Sequence, residues 1–143
     1  MLIEEPMHLV DNNGAPSGKK HFIFYNPPVV NKTFNIRQSA TFATRDVALS
    51  LLKENIQTIV FTKSRVRVEL LLSYLQAVTH GRFGQKGIRG YRGGYLPKER
   101  REIERGLRNG DIMGVVSTNA LELGVDIGQL QACVINGYPG TVA

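Results

Sequence analysis

The stretch Val115 to Gly128 reads VVSTNALELGVDIG and decides the fold. It continues an apolar run, Ile112-Met113-Gly114-Val115-Val116, which ends abruptly in Ser117, Thr118 and Asn119. A buried strand leaving a sheet has this form. Asn119 followed three positions on by Glu122 has capping-box spacing, so Ala120 to Leu123 can make about one helical turn before Gly124 stops it. Asp126 comes next, between Val125 and Ile127. A strand end, small hydroxyls, a helix start and a carboxylate crowd together here. In an open parallel sheet, ligands bind at the carboxyl ends of the strands.

Outward from this stretch the chain alternates between helix and strand patterns. Pro97 suits a first helical position, Ile103 and Leu107 give a thin apolar stripe, and Asn109-Gly110 supplies a stop. That helix is predicted to be mostly exposed, with Arg100, Glu104 and Arg108 at ion-pair spacing. Before it come a Gly-rich basic loop from His80 to Gly87, a short strand from Ile88 to Tyr91 and a turn at Gly93-Gly94. Val68, Leu71, Leu72 and Leu75 fall at i, i+3, i+4 and i+7 of a further helix, which Ser64 can N-cap after a buried strand from Gln57 to Thr62. Ala43, Val47 and Leu51 recur every four residues in a helix from Ser39 to Asn55.

Residues 29 to 38 read as a polar connection. His21 to Tyr25 reads as a strand ended by Asn26-Pro27-Pro28, because proline supplies no ladder donor. With Met7 to Val10 and the turn-prone DNNGAPSGKK between, residues 1–20 are a linker, an entering segment or one arm of a hairpin. Downstream, Gln131 to Asn136 is another strand. The alternation predicts an α/β domain over residues 21–143, with a mostly parallel sheet and helices on both faces.

At 143 residues the chain suits one domain with a core of its own. Charged residues make up 21% and hydrophobic ones 42%, with apolar runs far shorter than a membrane span. The start, MLIEEPMHLVDNNG, lacks the basic and apolar regions of a signal peptide, and Cys133 is the single cysteine, which together predict a cytoplasmic protein without membrane contact. In the apolar run Ala132 to Ile135, Cys133 reads as a small buried hydrophobe. The formal charge is +6, and nine of the eighteen Lys and Arg lie between Arg82 and Arg108 with three Glu among them. Such a cluster can track a phosphate backbone, although a solvated helix face is charged as well.

The chain has no G-x-x-x-x-G-K-[S/T] phosphate loop, no G-x-G-x-x-G after a strand and no G-x-S-x-G elbow. His8, His21 and His80 are scattered, which argues against a zinc site. Three stretches nevertheless follow apolar strands: Thr62-Lys63-Ser64-Arg65, Tyr91-Arg92-Gly93-Gly94-Tyr95 and Ser117-Thr118-Asn119. Each offers hydroxyls, helix-start N–H groups, glycines or arginines of the kind a phosphate backbone needs.

In this order the stretches resemble the second RecA-like, or helicase C-terminal, domain of superfamily-two DEAD/DEAH-box helicases. IVFTKSRVRVELL is similar to motif four, YRGGYLPKERREIE to motif four-a and VVSTNALELGVDIG to motif five, the most specific of the three. HFIFYNPP, His21 to Pro28, is similar to the start of this domain in the YprA-type bacterial DNA helicases, a branch that includes a mitomycin-repair helicase. The resemblance implies a RecA-like three-layer fold. It implies that Thr118, with Thr62, Ser64, Arg65, Arg92, Gly93 and Asn119, meets one nucleic-acid strand, and that Asp126, with Gly124, faces ATP across an interdomain cleft.

Motif six, Gln-x-x-Gly-Arg-x-x-Arg, does not occur before Ala143, and the first RecA-like domain with its phosphate loop and Mg²⁺-binding acid is absent from this sequence. The resemblance therefore implies the second motor domain of an ATP-dependent DNA helicase and ATP hydrolase, working with the first domain of the same chain on single-stranded nucleic acid. No catalytic or metal-binding residue is assigned to these 143 residues, which are expected to be inactive alone. An RNA helicase domain, or a non-catalytic α/β module that binds nucleic acid or protein through residues 82 to 108, is the alternative.

Overall fold

A computed structural model describes residues 18–84, 86–118 and 130–137. Its elements run β1 (Val29–Asn31), β2 (Ile36–Arg37), α1 (Ala40–Lys53), β3 (Thr58–Thr62), α2 (Arg65–Phe83), β4 (Ile88–Tyr91), α3 (Pro97–Asn109), β5 (Gly114–Ser117) and β6 (Ala132–Asn136). Strands β4, β5, β3 and β6 lie side by side in that order, every pair parallel. Crossover helices between parallel strands force this arrangement, since a parallel neighbour cannot be reached by a tight turn.

Successive strand residues point to opposite faces, so continuous apolar runs mean that both faces are covered. Val60, Ile88 and Val116 pack against Ala48 and Leu52 of α1 and Val68, Leu71 and Leu75 of α2. Their neighbours Ile59, Tyr91 and Val115 pack on the other face with Ile103 and Leu107 of α3 and with Ile112. Leu52, Leu71 and Leu75 are almost wholly buried, and each contributes on the order of 2 kcal/mol by leaving water. In α1 the buried face runs through Ala43, Thr44, Ala48 and Leu52, with Val47 and Leu51 half-buried beside it.

The caps explain the helix limits. Ser64 Oγ accepts from Arg67 N–H at 3.2 Å and starts α2. Pro97 opens α3, where the Glu99 carboxylate accepts from Leu96 N–H at 3.1 Å, and Gly110 ends it at φ +80°, a conformation that favours glycine.

Several expectations give way to tertiary context. Residues 21–25 form no strand: Phe22 and Ile23 are 85% exposed and Phe24 fully so. Alternation makes a strand only where a partner supplies ladder hydrogen bonds, and no described residue does so. The segment expected to be a polar connection instead forms the antiparallel hairpin β1–β2, whose turn is tied by Phe34 N–H donating to Asn31 Oδ1 at 3.1 Å. The supposed loop at 80–87 is helical as far as Phe83, and Gly84 provides the cap. Cys133 is exposed rather than buried. It lies on β6, an edge strand among the described residues, which alternates half-buried and exposed positions up to Ile135, and on a face that no described helix covers there. The protein around the thiol still pushes its pKa up by burial.

Candidate nucleic-acid interface

The three stretches singled out in the sequence all begin at one level of one sheet edge. Tyr91 of β4 aligns with Ser117 of β5, and Ser117 aligns with Phe61 of β3. The chain therefore leaves these adjacent strands at neighbouring points. Thr118 N–H donates to the Tyr91 carbonyl at 3.4 Å, extending the ladder by one step and tying the motif-five strand to the motif four-a strand.

Arg65, in the first turn of α2, reaches across this edge: its Nη2 lies 3.7 Å from where a Cβ on Gly93 would sit. Gly94 has φ +98°, which glycine adopts without the cost a side chain would add. Arg92 is half-buried, bonded through Nε to Glu69 Oε1 at 2.8 Å, with its guanidinium 5.1 Å from the centre of the Tyr95 ring. The hydrogen bond to Glu69 holds Arg92 more firmly protonated than usual. Tyr95 in turn fits over Gly90, where an added Cβ would lie 2.9 Å from the Tyr95 hydroxyl and 3.1 Å from Leu72. With Leu72, Gln76, Arg89, Gly90 and Glu99, Tyr95 lines an open cleft of about 290 Å³.

The edge is anchored from below. Tyr91, 2% exposed, donates through its hydroxyl to Glu104 Oε1 at 2.8 Å. Burial first, then the Glu104 hydrogen bond and charge, raise its pKa. Arg100 lies over the same ring, 5.9 Å from its centre. Glu104, expected to serve arginines along α3, is thus committed to Tyr91. Ser117 is fully buried and donates to the Thr118 carbonyl at 2.6 Å.

Of the residues expected to meet a strand, Ser64, Arg65, Arg92, Gly93 and Thr118 come together at this edge. Ser64 already works as a helix cap. Thr62 is placed differently: it is 4% exposed, and its Oγ1 has no hydrogen-bond partner among the described residues. Its neighbour in register, Asn136, is buried as well, and both polar atoms of its side chain lack partners among the described residues. Asn119, Gly124 and Asp126 lie outside the described residues. Sequence reasoning placed Glu69 and Tyr95 inside the quoted stretches but gave neither a role, since their roles depend on Arg92 and, for Glu69, on a partner 23 positions away.

Comparison with known proteins gives this edge a lineage. Residues 43–143 match the helicase conserved C-terminal domain. The chain is 69% identical over 142 residues to the uncharacterized ATP-dependent helicase YprA of Bacillus subtilis (strain 168), covering 99% of this chain and 19% of that protein. A crystal structure of the DUF1998 helicase MrfA bound to DNA superposes with a TM-score of 0.89 at 70% identity, covering 94% of this chain and 18% of that one. A second MrfA structure, bound to DNA and AMPPNP, gives 0.87 at 70% identity over 94% of this chain and 19% of that one. The chain thus spans about a fifth of the length of these relatives. With the parallel α/β sheet and its motif-bearing edge, the match shows that this chain belongs to the helicase conserved C-terminal domain family.

Proposed function

We propose that this chain is the second motor domain of an ATP-dependent DNA helicase, gripping one strand at the carboxyl edge of β4, β5 and β3 and completing an ATP cleft with a first RecA-like domain. The observation that carries the reading is the convergence of Arg65, Arg92, Gly93 and Thr118 at that edge, on three adjacent strands. Guanidinium groups, a side-chain-free turn and a strand-end threonine suit phosphate oxygens, and such contacts carry no base information. A motor that passes over every base needs that indifference. DNA is preferred to RNA because the solved relatives at 70% identity hold DNA.

ATP supplies the energy that closes and opens the two domains. In this reading Gly124 and Asp126 face the nucleotide, and the phosphate loop and Mg²⁺ ligands come from the first domain. The part played by the described residues is to hold the strand and transmit the closure. β5 does both, because it leads directly from the buried core at Val115 and Val116 to Thr118.

The test is Thr118→Ala in the full-length protein. Unwinding of a DNA duplex with a single-stranded tail should fall at least tenfold while the circular dichroism spectrum and melting temperature stay unchanged. Full unwinding by that variant would favour the non-catalytic interaction module.

A further inference from the structure

Glu69 lies in the motif-four stretch without a role assigned to it, yet it makes one of the two ion pairs found among the described residues, and it makes it to Arg92. The carboxylate engages the Nε corner of the guanidinium at 2.8 Å. The guanidinium carbon lies over the Tyr95 ring, 5.1 Å from its centre, and Tyr95 is itself seated over Gly90. Nη1 is left on the side of the glycine turn, 4.0 Å from where a Cβ on Gly94 would sit. Arg65 Nη2 approaches the same turn at Gly93. Two guanidinium groups therefore flank two residues without side chains, a gap suited to a backbone phosphate.

We propose that Glu69 is a positioning residue, which with the Tyr95 ring as a ledge holds Arg92 beside the Gly93-Gly94 turn for a phosphate of the bound strand. The inference rests on the strand-gripping role given to Arg92 above. An arginine free in solution must give up rotamer freedom when it binds, whereas one already fixed at Nε and packed on a ring gives up less. Glu69 thus adds to affinity although its charge opposes that of the phosphate.

The two effects of Glu69 have opposite signs, which makes the proposal testable. Binding of fluorescein-labelled single-stranded oligodeoxythymidine to the full-length protein is measured by anisotropy at fixed salt. Glu69→Ala, on an exposed helix position where alanine is well tolerated, should weaken binding about three- to tenfold even though it adds one net positive charge. Glu69→Gln, which keeps an acceptor for Nε, should lose less. In an Arg92→Ala background, Glu69→Ala should change nothing further. Unchanged or tighter binding by Glu69→Ala, or an equal loss without Arg92, would overturn the proposal. If Arg92→Ala itself binds like the parent, the strand-gripping role of Arg92 fails; if it binds weakly while Glu69→Ala does not, only the positioning role fails.

Discussion

Gln57 shows how much one polar side chain can carry. It is 9% exposed, and its Nε2 donates to two carbonyls, Leu107 O at 2.7 Å and Ile112 O at 2.8 Å, while its own N–H donates to Gln131 Oε1 at 2.9 Å. Leu107 lies in the last turn of α3, where, among the described residues, its carbonyl otherwise accepts only from the C-cap Gly110 N–H, at 3.3 Å, and Ile112 lies just before β5. One amide thus joins the start of β3 to the end of α3 and the approach to β5. Gln57→Ala leaves both carbonyls without that donor and should cost about 2 kcal/mol, read as a lower urea midpoint with an unchanged slope. Thr62 and Asn136 are the opposite case, buried polar side chains at the sheet edge without partners among the described residues.

At the scale of elements, α3 shows packing overruling local preference. Alanine is favoured over glycine inside a helix by about 1 kcal/mol, so Gly106 looks like a weakness in Pro97–Asn109. A Cβ on Gly106, however, would lie 2.7 Å from Ile112 Cδ1 and 2.9 Å from its Cγ1. Ile112 is 7% exposed and packed among Ile59, Tyr91, Ile103 and Val115, so it has little room to give way. Gly106→Ala should therefore destabilise by about 1 kcal/mol net, the overpacking exceeding the propensity gain. Thermal melting checks this, and Ile112→Val in the same chain should recover part of the loss, since the two sites are in contact. The sequence marked Gly110 as the stop of this helix but held no sign that Gly106 faces Ile112.

At the scale of the whole molecule, charge and topology meet at one edge. The net charge of +6 is concentrated from Arg82 to Arg108, and this segment supplies β4, the glycine turn and α3 beside the proposed grip. Binding of single-stranded DNA should weaken steeply with salt, about tenfold or more between 50 and 200 mM for several phosphate contacts. Fluorescence anisotropy across that range measures it; a flat response would remove the phosphate-tracking surface.

Sequence alone determined the order of helices and strands from Ser39 onward, the Ser64, Pro97 and Gly110 boundaries and the placement of three stretches at the ends of sheet strands. These are legible because periodicity and capping depend on residues a few positions apart. Tertiary structure decided the strand order β4-β5-β3-β6, the burial of Thr62, the exposure of residues 21–25 and Cys133, and the pairing of Glu69 with Arg92, Glu104 with Tyr91 and Gln57 with two carbonyls 50 and 55 residues away. The first kind of information is written in local backbone preference. The second arises only when distant segments exclude water from one another, and then a residue's role depends on which neighbour arrives.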